Sequence, residues 1–211
     1  VSNKSQSNNL GSLILKIRQM KISDTSDVTC LHMKSFSKFF LTFLGSSFIN
    51  LYYKSIINFS QIGLVATNND IIYGFVVGID SSSGFHKKLL KTRGFLFALY
   101  TIPAILKNPR IIPRLFRAVQ KNSPSASTHH KSIHLTSIAV SPELSGAGIG
   151  WKLLTAFQQQ SKELGYQYIL LETDAEENEP VCEFYKKNNF YIINTFSTPE
   201  GRKMHEFQYN L

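Results

Sequence analysis

The stretch from Ile133 to Leu164 (IHLTSIAVSPELSGAGIGWKLLTAFQQQSKEL) limits the possible folds more than any other part of the chain. Ile133, Leu135, Ile138 and Val140 have the density of apolar, β-favouring residues expected of a half-buried strand. Their alternation slips by one between Leu135 and Ile138, which predicts a β-bulge at Thr136–Ser137. Ser141-Pro142 ends the strand, because proline cannot donate to a ladder. Gly146, Gly148 and Gly150 then alternate with small or aliphatic residues. From Trp151 the period turns helical, with Leu153, Leu154, Phe157 and Leu164 on one stripe. A loop of free backbone N–H groups that opens onto a helix N-terminus attracts anions through donors and dipole together.

Two common phosphate loops are excluded. A Walker loop ends in Gly-Lys-Ser/Thr, and Trp151-Lys152 does not supply that ending. The dinucleotide pattern G-x-G-x-x-G fails from Gly146, where Trp151 takes the last place, and from Gly148, where Leu153 does. What remains is x-G-x-G-x-G after a strand ending in V-S-P. This resembles motif A of the GCN5-related N-acetyltransferases (the GNAT superfamily), whose loop cradles the pyrophosphate of coenzyme A. The resemblance places Ser145, Gly146, Ala147, Gly148, Ile149 and Gly150 at that loop. Ser145 departs from the Gln/Arg of the family pattern, so backbone amides must carry more of the pyrophosphate contact.

A second motif follows in the right order. Tyr168 to Glu172 (YILLE) reads as a buried strand. Asn178-Glu179-Pro180-Val181 opens a helix with Val181, Phe184 and Tyr185 on one face. Asn188-Asn189-Phe190 closes it, since Asn tolerates the left-handed conformation. N-x-x-V-x-x-F-Y-K-K-N-N-F resembles motif B of the same superfamily, departing by Val181 for Ala and Asn189 for Gly. The resemblance covers residues 130 to 211 closely and 16 to 80 more loosely.

The chain has 211 residues, 43% of them hydrophobic, enough for one good-sized domain. Val1 to Gly11 is a polar Ser/Asn tract, so residues 1–12 are expected to be a flexible N-terminus and 13–211 a single domain. Leu13 to Met20 alternates like a first strand. Helices then follow Asp24, Ser26 or Asp27 and Ser46 or Ser47, and two strands flank Asn68-Asn69-Asp70 as a hairpin. The order β-α-α-β-β, then β-α-β-α-β, predicts an α/β (α+β mixed-sheet) class. The resemblance makes that a GNAT fold, a central twisted mixed sheet with helices on both faces. No secretory leader pattern is seen in the first twenty residues, and Cys30 and Cys182 form no CxxC pair, so the expected compartment is cytoplasmic.

Between Asp80 and His134 the sequence changes character. Residues 81–131 hold ten Lys or Arg and no Asp or Glu, while the rest has thirteen basic and fourteen acidic residues. The formal net charge of +9 therefore resides in this segment. Its apolar pattern predicts a helical insertion broken at Pro103, Pro109 and Pro113, with Ser123–Lys131 as a link back to the central strand. The apolar run Phe95–Leu106 must bury somewhere: against the domain, on a second subunit, or on a membrane surface. No stacking platform of interleaved aromatic and basic residues is present, so a nucleic-acid partner is not expected.

The resemblance implies chemistry at named positions. Acetyl-CoA would be the co-substrate, its extended arm lying beside the central strand and pairing with backbone groups of Ile138, Ala139 and Val140. Tyr185 occupies the position of the acid that protonates the departing thiolate, and a phenol remains protonated at pH 7. Asn178 would bond the arm or order its loop. Many relatives carry Glu where this chain has His134, whose imidazole could serve as base. His129 and His130 read as linker residues, and no histidine pattern has metal spacing. The expected function is an N-acetyltransferase acting on a primary amine, that of an amino sugar or nucleotide-linked amino sugar. The alternatives are a non-catalytic acyl-CoA-binding protein of the same fold and a protein or peptide N-acetyltransferase.

Overall fold

The computed structural model of the chain describes residues 15–37, 39–59, 61–113, 115 and 131–211. The polar tract Val1–Gly11 and most of the link Ser123–Lys131, with His129 and His130, lie outside the described residues. The strands are β1 (Lys16–Gln19), β2 (Ile62–Asn68), β3 (Ile71–Asp80), β4 (Ser132–Val140), β5 (Tyr168–Asp174), β6 (Tyr191–Ser197) and β7 (Lys203–Asn210). The helices are α1 (Thr25–Ser35), α2 (Phe40–Phe43), α3 (Ser46–Asn58), α4 (Phe85–Lys107), α5 (Ile149–Glu163) and α6 (Glu179–Lys187). The strands form one sheet in the order β1-β2-β3-β4-β5-β7-β6. Among these pairings β4–β5 is parallel and the rest are antiparallel.

Local chemistry accounts for several boundaries. The β2–β3 turn is two residues long, and Asn69 and Asp70 both take positive φ (46° and 66°), the backbone of a type I′ turn that matches strand twist. Asp24 precedes α1 but does not cap it with its side chain. Its carboxylate instead binds the Arg18 guanidinium at 2.6 and 3.0 Å and accepts from the Lys21 N–H at 2.7 Å, tying β1 to the start of α1.

Two cores cover the two faces of the sheet. Along β3 the alternation of period two sends Val76 to one and Phe75 and Val77 to the other. The first core packs β-sheet residues against Leu153, Leu154 and Phe157 of α5 and Tyr185 of α6. The second packs them against Val28 and Leu31 of α1, Ile49, Tyr53 and Ile56 of α3, and Phe85 and Phe97 of α4. Helix α5 approaches β3 so closely that a Cβ at Gly78 would lie 2.4 Å from Cζ of Phe157, and one at Gly74 2.9 Å from Leu153 Cδ1.

The bulge is where the sequence placed it. Val77 pairs with Ser137 and Gly78 with Leu135, leaving Thr136 as the extra residue, whose hydroxyl donates to Val77 O at 3.2 Å. The slip keeps Ile133, Leu135, Ile138 and Val140 all toward the first core, while Ala139 faces the second.

Two expectations are corrected. The chain closes with a hairpin, β6–β7, rather than a single strand after α6. The insertion is not broken at Pro103: α4 runs through it, ending at Lys107 ahead of Asn108-Pro109. Pro103 is exposed and only one turn from the helix end, so its lost hydrogen bond falls where few others depend on it. The residue before Pro109 is barred from helical geometry, which sets the stop.

Overpacking at the α5–β3 contact gives a first prediction. Gly78→Ala should lower stability by about 1–3 kcal/mol, since the Phe157 ring must shift within a filled core. A urea titration should show the midpoint falling with an unchanged slope.

Candidate active site

The parallel pair at the centre of the sheet is incomplete. Strand β4 pairs with β3 along its length, but with β5 only through Ser132↔Tyr168, Ile133↔Ile169 and His134↔Leu170. Beyond those rungs the two strands share no ladder. The β5-facing N–H and C=O groups of Leu135 to Val140 thus form an internal sheet edge, which an extended ligand could pair with as a strand would.

The gap opens into a cleft of about 840 Å³, lined on the strands by residues 135–140 of β4 and 171–173 of β5. Side chains from both layers reach it: His32, Phe36 and Tyr52 from the α1–α3 side, and Tyr185 with Asn178 from the start and body of α6. An unbroken sheet would keep those layers apart.

Ser145, Gly146, Gly148, Ile149, Gly150 and Trp151 also line the cleft. Gly146 (φ 82°) and Gly148 (φ 76°) are left-handed, and a Cβ at either would meet nothing within 4 Å. Backbone conformation, not crowding, therefore calls for glycine, and the space over the loop is open. Helix α5 starts at Ile149 with Gly148 as N-cap and no side-chain cap, so its first N–H groups lack partners inside the helix. Among the described residues, no Lys or Arg lines the cleft. Recognition of an anion here falls to backbone donors and the positive end of a fifteen-residue helix.

Tyr185 is held by the end of its own helix. Asn189 is left-handed (φ 64°), Phe190 N–H donates to Tyr185 O at 3.0 Å, and Asn189 N–H donates to Lys186 O at 3.0 Å. This is the Schellman arrangement, with its apolar contact made by the Tyr185 and Phe190 rings, 5.5 Å apart. Phe184 and Phe207 complete the packing around Tyr185, which is 5% exposed. Burial pushes its phenol above the ordinary value, so the group is a neutral O–H donor at physiological pH.

Asn178 is the N-cap residue of α6, yet its side chain makes no cap bond. Its amide donates to Thr173 Oγ1 at 2.8 Å and to Asp174 O at 3.0 Å, fixing the β5–α6 connection. Cys182 is buried in the first core.

Of the residues singled out from the sequence, Ile138, Ala139, Val140, Ser145, Gly146, Gly148, Ile149, Gly150, Asn178 and Tyr185 all border the cleft. Ala147 and His134 are outside its lining. His134 sits on the paired part of β4, between Ile79 of β3 and Leu170 of β5.

Other lining groups escaped the sequence reading. His32 is 5% exposed, its Nδ1 is 2.7 Å from Tyr53 Oη, and burial holds its pKa down to about 4, so the imidazole is neutral. Tyr52 is pushed up to about 12 by burial, offset in part by a hydrogen bond with Thr136, and Tyr53 is likewise raised and bonded with Ser137. Two tyrosines of α3 thus grip the bulge residues. Glu172, the last residue of the YILLE run, lines the cleft across from the open edge of β4. His32 is linked to the bulge only through Tyr53, which bonds both His32 and Ser137.

Residues 114–190 match a family model described as the Acetyltransferase (GNAT) family. A search of curated proteins finds no match. Among solved structures, the chain is similar to a Salmonella typhimurium acetyltransferase structure with its cofactor acetyl-CoA, at 12% identity and TM-score 0.60, covering 93% of this chain and 94% of that one. It is similar to the ribosomal-protein-alanine N-acetyltransferase of Brucella melitensis, at 12% identity and TM-score 0.62, covering 93% and 99%. It is similar also to the Drosophila melanogaster polyamine N-acetyltransferase, at 15% identity and TM-score 0.59, covering 93% and 100%. At these identities the likeness is one of fold.

The loop gives a second prediction. Gly148→Asp forces an ordinary residue into φ 76° and sets a carboxylate at the uncapped helix start. Coenzyme A affinity by calorimetry should fall by about tenfold or more in the folded variant, one to two kcal/mol of lost dipole and donor contact.

Proposed function

We propose that the chain is an acetyl-CoA-dependent N-acetyltransferase of the GNAT superfamily, and that this cleft passes the acetyl group to the amine of an amino sugar with Tyr185 as general acid. The observation that carries the reading is the interrupted β4–β5 ladder beside an uncapped, glycine-led helix. An acyl-pantetheine arm is an extended chain with amide groups, and the open edge of Ile138, Ala139 and Val140 supplies matching donors and acceptors. Its pyrophosphate would meet the N–H groups of the 145–150 loop.

Each remaining need of the reaction has a group in the lining. Backbone N–H groups around the Thr136 bulge polarise the thioester carbonyl. The Tyr185 hydroxyl gives its proton to the sulfur as the C–S bond breaks, and the amine nitrogen forms the new C–N bond as it loses a proton. Glu172 is the carboxylate in the lining, which supports it as the base over His134.

The acceptor reading rests on the rest of the lining. Phe36, Phe39 and Tyr52 offer ring faces to the apolar face of a sugar, and His32 a polar contact. Glu172 is the only carboxylate among the described lining residues, so a polyamine would find few counter-charges. No described residue of the basic insertion lines the cleft, which supports a free amino sugar over a nucleotide-linked one.

Tyr185→Phe should reduce kcat by about 10²-fold or more with coenzyme A affinity nearly unchanged, because the hydroxyl acts only as charge develops on sulfur. Equal turnover in the two forms would remove Tyr185 from the mechanism. The base is tested by pH. As pH falls, protonation of the base should impose an acidic limb on kcat/KM. Glu172→Gln should abolish that limb and His134→Ala should keep it; the reverse result would assign the base to His134. A screen of amino sugars, polyamines and N-terminal peptides then ranks the acceptors.

A further inference from the structure

Helix α4 has apolar residues on two faces, and the domain uses one. Phe85, Leu89, Phe97, Thr101 and Ala104 are buried, with Phe97 edge-on to Phe48 of α3 at 4.8 Å and Phe85 against Tyr52 and Phe59. Phe95, Leu99, Ile102 and Leu106 follow at i, i+4, i+7 and i+11, within roughly 60° of one another and opposite Phe97 and Ala104. They are 81%, 46%, 47% and 78% exposed. This is an unbroken stripe of large side chains in water, three turns long. Lys91 continues the same face toward the N-terminus, with Lys87 beside it, and Lys107 ends the helix; Lys88 instead turns its Nζ over the Phe59 ring, 4.5 Å from the centroid. The stripe is therefore apolar in its second half and basic in its first.

The charge selects the occupant. Residues 81–131 carry ten Lys or Arg and no acidic group. A second copy of the chain would set that segment against itself. An anionic bilayer offers opposite charge to the lysines and an apolar layer to the stripe. We propose that α4 is a membrane-surface anchor that lays Phe95, Leu99, Ile102 and Leu106 into the interface of an anionic lipid bilayer. The helix lies on the membrane and does not cross it. By length and composition it is apolar enough to cross. Crossing, however, would strip Phe85 and Phe97 from their aromatic contacts on α3 and Phe59 and carry Lys91 and Arg93 into hydrocarbon. Long lysine side chains instead reach headgroup level from a helix lying flat.

The test uses the full chain in co-sedimentation with phosphatidylcholine vesicles, with and without phosphatidylglycerol. Binding should require phosphatidylglycerol and decline as salt screens the lysines. Phe95→Glu with Leu106→Glu should lower the partition coefficient by about tenfold or more. Both side chains face solvent, so the variant should keep its circular dichroism and its coenzyme A affinity, which separates this inference from the reading of the cleft. Lys87→Glu with Lys91→Glu should weaken binding most at low salt. Three results would overturn the proposal: no sedimentation with anionic vesicles at low salt, sedimentation unchanged in the Phe95/Leu106 variant, or a lipid-free dimer by light scattering that this variant dissociates.

Discussion

The site depends on the place where hydrogen bonding between β4 and β5 stops. A parallel pair at the centre of a sheet normally buries its ladder from end to end, because an unpaired backbone group away from water costs free energy. Here only three rungs form, and the open groups beyond them line the cleft. That cost is tolerable because the gap admits solvent or ligand. The same gap lets the α1–α3 layer and the α5–α6 layer contribute side chains to one site.

The Thr136 bulge keeps the arrangement in register. A slip of one residue exchanges the faces of a strand. With it, Ile138 and Val140 pack on the α5 side together with Ile133 and Leu135, and Ala139 faces α1 and α3. Without it, the second half of β4 would present its branched side chains to the wrong layer. Three side-chain contacts hold the extra residue and its neighbour: Thr136 with Val77 O, and Tyr52 and Tyr53 with Thr136 and Ser137. Helix α3 is thus a clamp on the strand as well as a cover for the sheet.

How far the sequence discloses this depends on whether the signal is local. The bulge appears as a broken alternation, the I′ turn as Asn-Asp flanked by strands, and the α6 terminus as Asn189, because each is decided within a few residues. The strand–glycine–helix unit is legible for the same reason. Glu172 and His32 are not, since what makes them cleft residues is tertiary: the end of one ladder and the approach of α1 to a bulge 100 residues away in the chain. The β6–β7 hairpin was missed where its exposed residues blur the strand alternation. Pro103 misled because a local rule was applied near a helix end, where its cost is least.

The basic insertion obeys a separate logic from the domain that carries it. Outside residues 81–131 the charges nearly cancel, and the two cores bury the large apolar side chains at the centre of the sheet. Within it, α4 is attached by a single stripe of contacts to α3 and Phe59, yet presents as much apolar surface outward as inward. A helix meant only to brace the domain would carry polar residues at Phe95, Leu99, Ile102 and Leu106, since nothing in its packing requires otherwise. The aromatic contacts with Phe48, Tyr52 and Phe59 couple that surface to α3, whose Tyr52 lines the cleft. A surface seated on that stripe would be one helix away from the cleft.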